Sequence, residues 1–185
     1  MALRIAVLGR GAWGGTLAHL WTRSGHDVRS WSRRDGGDPA EVLAGADLLV
    51  SAVSMAGVEG LARRLGPVWP AGLPLLSCTK GIDLEGLCTA AQLWGRHLPP
   101  VGVAVLSGPN LADELDRGLP AASVIASTEE SLARRLQTEL VALNLRLRNS
   151  ALTEFALSPR RPVLHSFNTL PHLHTPEQAD WVTYA

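Results

Sequence analysis

Charge is scarce in this chain. Lys+Arg and Asp+Glu number 17 each, charged residues make up 18%, and the formal net charge is +0. Such a balance creates no positive field to attract nucleic acid or an anionic membrane, and neither is expected as a partner. Cysteine is limited to Cys78 and Cys88, too few for a disulfide framework, and nothing points to an oxidising compartment. No apolar run approaches the roughly 18 residues that cross a bilayer. The first strand-like residues begin almost at Met1, which leaves no length for a signal peptide. These absences lead to the expectation of a soluble, cytoplasmic protein. Lysine is nearly missing as well: Lys80 is the only one. Apolar residues are plentiful at 46% of 185. That is enough for the core of one sizeable domain, with or without a small appendage.

The apolar residues come in short runs that alternate between two periods. Residues 3–8 read as a strand, 16–23 as a helix that stops at Ser24-Gly25, and 26–32 as a second strand with a poor apolar pattern. A loop over 33–39 leads to a short helical piece at 40–45. Residues 47–53 form the clearest buried strand, apolar on both faces as a covered parallel strand should be. The pattern then predicts a helix over 55–65, a strand over 73–78, a helix over 84–94, a strand over 101–106 and a short helix over 111–116. A strand over 122–126, a helix over 129–143 and a last strand at 145–147 follow. Strands alternating with helices predict an α/β fold: a doubly wound, mostly parallel Rossmann-like sheet. From 148 to 185 neither period persists, so the chain divides into a dinucleotide-binding domain over 1–147 and an irregular tail over 148–185.

Four segments carry chemistry. Gly9-Arg10-Gly11-Ala12-Trp13-Gly14 is a G-x-G-x-x-G turn set between a strand and a helix. In that context Gly9 permits the tight turn, Gly11 lets the backbone approach a pyrophosphate, and Gly14 lets helix and strand pack closely. The helix N-terminus behind them offers free N–H groups and partial positive charge. After the second strand the chain reads Ser30-Trp31-Ser32-Arg33-Arg34, with no acid before Asp35. An NAD site places an acid near here for the ribose hydroxyls, whereas Arg33 and Arg34 suit a 2′-phosphate. NADP is therefore favoured over NAD, against the plainer reading of a solvated basic loop. Lys80 follows the strand at 73–78, and Gly108 and Asn110 follow the strand at 101–106. Both turns lie at the carboxyl edge of the sheet, where ligands bind. A lysine there can polarise a carbonyl, and Asn110 can cap the next helix.

With these segments in sequence, the chain resembles the bacterial-type NAD(P)-dependent glycerol-3-phosphate dehydrogenases. The resemblance rests on Val7 to Gly14, Trp31-Ser32-Arg33, Thr79-Lys80-Gly81, and Leu106 to Leu115 with Gly118 to Ala122. It covers about residues 3–147. It implies NAD(P)H-dependent reduction of dihydroxyacetone phosphate to glycerol 3-phosphate, for phospholipid synthesis. By position it puts Ala12, Trp13, Arg33 and Ala112 on the cofactor, with Arg34 sharing the 2′-phosphate. Lys80 would touch both cofactor and substrate, and Gly108 and Asn110 would lie near the glycerol phosphate. The chain departs from the family twice. The loop over 35–39 is shorter than the family's. The family's helical substrate domain, opened by a Leu-Lys-Asn motif whose lysine moves the proton, has no counterpart after 147. No catalytic residue is therefore assigned, and the expected activity is truncated or impaired. A truncation or frame change near the end of the cofactor domain would account for the loss of pattern. His165, His172 and His174 supply no supporting metal-ligand spacing, and no metal is expected. The alternative function is a non-catalytic NADP(H)-binding module. The family's helical domain covers one end of the sheet, so self-association is expected where that cover is lacking.

Overall fold

The computed structural model describes residues 2–119 and 121–140 in full, and the backbone of 145–149, 152–157 and 162–169. In chain order the elements are β1 (Arg4–Leu8), α1 (Ala12–Arg23), β2 (Asp27–Trp31), a 3₁₀ turn (Pro39–Leu43), β3 (Leu48–Ser51), α2 (Met55–Leu65) and β4 (Leu75–Ser77). Then come β5 (Ile82–Asp83), β6 (Cys88–Thr89), α3 (Ala90–His97), β7 (Val103–Ser107), α4 (Ala112–Asp116), β8 (Ala121–Ser127) and α5 (Glu130–Glu139). The last are β9 (Leu145–Asn149), β10 (Leu152–Leu157) and β11 (Pro162–Thr169).

A seven-stranded sheet runs β2-β1-β3-β4-β7-β8-β9. Neighbours are parallel except at β7 and β8, which pair antiparallel. The chain leaves β1 for β2 on one side and returns to β3 on the other. That reversal opens a crevice beyond the carboxyl ends of β1 and β3.

The pleat of β1 sorts its side chains to two cores. Ile5 and Val7 join Leu48, Val50 and Leu76 against Leu17, Leu20 and Trp21 of α1 and Leu132 and Leu136 of α5. Ala6 and Leu8 join Leu49 and Leu75 against Val58, Ala62 and Leu65 of α2 and Leu93 and Trp94 of α3. Burial on both faces explains why β3 is apolar from Leu48 to Val50. Two buried indole N–H groups of the core find acceptors: Trp21 donates to the Leu140 carbonyl at 3.1 Å and Trp94 to Ser51 Oγ at 3.2 Å. Leaving either N–H unpaired would cost about 1–3 kcal/mol.

One expectation requires correction. Residues 84–94 are not one helix. Leu87 adopts φ 46, Gly86 N–H donates to Asp83, and β5 and β6 form an antiparallel hairpin. The helix starts only at Ala90, where Thr89 and Gln92 cap each other's backbone N–H groups. Beyond 147 the described residues include further strand backbone. β9 continues to Asn149 in the main sheet, and β10 pairs antiparallel with β11. The Val, Phe, Thr and Leu content of 152–157 and 162–169 favours a pleated backbone. His172 and His174 lie outside the described residues.

Candidate functional site

The glycine turn closes through backbone contacts that leave no room for a side chain at Gly9 or Gly14. Gly9 has φ 104, and its N–H donates to the Trp31 carbonyl at 2.8 Å, tying the end of β1 to the end of β2. A Cβ on Gly9 would meet the Ala52 carbonyl oxygen at 2.6 Å; one on Gly14 would meet the Gly9 carbonyl oxygen at 2.0 Å. Gly11 faces open space, with nothing within 4 Å of where its Cβ would be. It caps α1 without a side-chain hydrogen bond, and the first turn holds no acid. The first N–H groups of a twelve-residue helix are thus bare and unopposed, the arrangement a pyrophosphate requires. On these grounds the turn fits a dinucleotide.

Beside the turn lies a cleft of about 720 Å³. Gly9 and Gly11 form one wall, and Trp31, Ser32, Arg33 and Arg34 form the lip after β2. Arg33 and Arg34 are exposed, and neither makes an ion pair among the described residues. Two bare guanidinium groups on one lip can accept a phosphate in a forked geometry. The rest of the lip is held by local bonds. Trp31 Nε1 donates to the Gly36 carbonyl at 2.9 Å, and Asp35 accepts from both Ser32 and Arg10 at 2.8 Å. The Ser32 hydroxyl first, and then Arg10, hold the Asp35 carboxyl below its usual range.

The opposite wall was not read from the sequence. Ala52, Val53 and Ser54 follow β3, and Gly57, Gly60 and Arg64 of α2 face the cleft. Helical period identifies the apolar stripe of α2 but not what its other face meets. The two glycines at 57 and 60, spaced to share that face, were the available signal. Arg64 is paired with Asp38 at 3.1 Å.

The remaining expected residues gather at the neighbouring strand ends. Thr79 Oγ1 donates to the Val53 carbonyl at 2.9 Å, fixing the turn after β4 against the cleft wall. Lys80 Nζ then donates to the Gly108 carbonyl at 3.3 Å. A Cβ on Gly108 would meet Asn110 Nδ2 at 2.8 Å and the Ala122 carbonyl at 2.9 Å, so the close approach needs glycine. Asn110 is buried and does not cap α4. Its amide donates to Ser123 Oγ on β8, and the cap position falls on Leu111. Ala112 opens α4, which Asp116 ties to α1 by accepting from Thr16 Oγ1 at 2.8 Å. Trp13 packs against the core with its Nε1 buried and unpartnered. Ala12, Lys80, Gly108, Asn110 and Ala112 thus stand along the carboxyl edge, outside the lining of the cleft that holds Arg33 and Arg34. Cys78, next to this edge, is no nucleophile: full burial pushes its thiol up to about 12.

Comparison with known proteins agrees with this geometry. Two curated glycerol-3-phosphate dehydrogenases [NAD(P)+] from Synechococcus strains are each 47% identical to the chain, over 147 and 151 residues. Each match covers 80% of this chain but 48% and 47% of the relative. The chain thus spans about half the length of the relatives it matches. The crystal structure of glycerol-3-phosphate dehydrogenase from Coxiella burnetii shares the fold, with a TM-score of 0.75 at 24% identity, covering 80% of this chain and 54% of that one. The model of the NAD-dependent glycerol-3-phosphate dehydrogenase N-terminus matches residues 4–37 and 35–133, and the chain belongs to that family.

Proposed function

We propose that the chain binds NADP(H), more weakly NAD(H), and serves NAD(P)H-dependent reduction of dihydroxyacetone phosphate to glycerol 3-phosphate. The observation that carries this reading is the meeting of Lys80 with the Gly108 carbonyl at the same carboxyl edge of the sheet as the bare N-terminus of α1. The glycine turn holds the pyrophosphate, and Arg33 and Arg34 take the 2′-phosphate. Ala12, Trp13 and Ala112 flank the cofactor. The bound nicotinamide supplies the hydride. Lys80, an exposed cation at the strand edge, polarises the carbonyl oxygen that gains negative charge. Gly108 and Asn110 shape the floor for the substrate's phosphate end. The dinucleotide-binding unit is residues 1–147.

One observation favours the second reading, a non-catalytic NADP(H)-binding module. Lys80 is the only lysine in the 185 residues, so no second lysine among them can move the proton. Titration with NADPH and NADH followed by a dihydroxyacetone phosphate assay separates the two. NADPH oxidation that Lys80→Ala abolishes supports the reductase. Tight NADPH binding without turnover supports the module, and no binding sinks both. Self-association is proposed through the exposed Ile82, Leu84 and Leu87 of the β5–β6 hairpin. A single monomeric species in sedimentation velocity over rising concentration would refute it. Among the described residues, no helix is long and apolar enough to cross a membrane.

A further inference from the structure

The lip after β2 holds an acid where the proposed cofactor would place an anion. A single oxygen, Asp35 Oδ2, accepts the Ser32 hydroxyl and the Arg10 guanidinium, each at 2.8 Å. Ser32 and Arg10 both line the cleft; Asp35 does not. The two donors come from different segments, Arg10 from the glycine turn and Ser32 from the end of β2, and they converge on this one oxygen. A hydroxyl and a guanidinium aimed at one point are what a phosphate oxygen needs. Arg34 adds its positive field at the same carboxylate.

We infer that Asp35 is a built-in rival of the 2′-phosphate, occupying its donors and so setting how far the chain prefers NADP(H) over NAD(H). The inference rests on the reading of the cleft as a dinucleotide site. The Arg10 and Asp35 side chains are 54% and 50% exposed. A half-exposed pair is weak, and a phosphate of nearly two negative charges can displace it. NADPH must spend part of its binding on that displacement. NADH carries only a hydroxyl at the same position, leaves the carboxylate where it is and bears no such cost. Arg33 has no ion pair among the described residues and Arg34 meets Asp35 only through its field, so the site keeps its lean to NADP(H) while Asp35 limits it.

The test is fluorescence titration of the full chain and of two variants with NADPH and with NADH at low salt. Asp35→Ala is expected to tighten NADPH about fivefold and to leave NADH within about twofold. Asp35→Glu keeps the charge and is expected to behave as the unaltered chain. The probes 2′,5′-ADP and 5′-AMP should divide in the same way. Unchanged or weaker NADPH binding by Asp35→Ala overturns the inference. So does a several-fold loss of NADH affinity, which would make Asp35 a ribose ligand. If the unaltered chain binds neither dinucleotide, the cofactor reading fails and takes this inference with it. Binding that ignores Asp35 overturns the inference alone.

Discussion

A methyl group at Gly14 would overlap the Gly9 carbonyl oxygen at 2.0 Å, and neither atom sits on a flexible side chain. Gly14→Ala must therefore push α1 away from the end of β1. We expect a stability loss of about 2–3 kcal/mol in urea unfolding, with NADPH affinity falling more than tenfold. Gly11→Ala meets open space instead. It should unfold within about 1 kcal/mol of the parent yet bind NADPH less well, because its methyl group would project into the space proposed for the pyrophosphate. Gly9, Gly11 and Gly14 were legible in the sequence because each answers a local backbone demand. Asn110 was only half legible. Its position at the strand edge follows from the order of elements, but its bond to Ser123 ties the turn after β7 to the strand β8. No local pattern announces such a pair.

Helix α2 shows what periodicity can deliver, since Met55–Leu65 coincides with the run read from Val58, Leu61 and Leu65. Helix α3 shows where it misleads. Apolar residues at 84, 87 and 88 fit a helical face, yet Thr89 and Gln92 cap the chain at the start of the helix. Capping chemistry overrode hydrophobic spacing here, and the T-x-x-Q signal was present in the sequence. Thr89→Ala should cost about 1 kcal/mol, read as a lower unfolding midpoint. The antiparallel direction of β8 was not legible either, because apolar runs do not record strand direction.

The entry to β3 depends on charge. Asp47 accepts from the Arg4 backbone at 2.9 Å and from its guanidinium at 2.7 and 3.1 Å. The Arg4 side chain first, then its backbone N–H, hold the Asp47 carboxyl down to about 2 from an ordinary 3.8. A depressed carboxyl stabilises the fold above its unfolded value and ceases to do so as pH falls through the folded one. Asp47→Asn should therefore cost about 1 kcal/mol at neutral pH, once screening of this half-exposed pair is allowed for. The gap between variant and parent should close between about pH 4 and pH 2, measured as urea midpoints.

At the scale of the whole molecule, ligand and fold are linked. The cleft draws its walls from the ends of β1, β2 and β3 and from α2, so a dinucleotide bound there holds four elements together. NADPH at 100 times its dissociation constant should add about 2.7 kcal/mol. For a chain of this size that is a rise in melting temperature of roughly 5–10 °C, visible by differential scanning fluorimetry. NADH at the same concentration should give less.

Lys80 has one more consequence. It is the sole lysine, it is exposed, and the residue after it, Gly81, is exposed too with φ 109. A lysine-specific endoprotease therefore has a single target bond in these 185 residues, at the mouth of the proposed substrate pocket. One cut yields two fragments of known mass. The rate at which they appear reports, without any label or mutation, how often that mouth is covered.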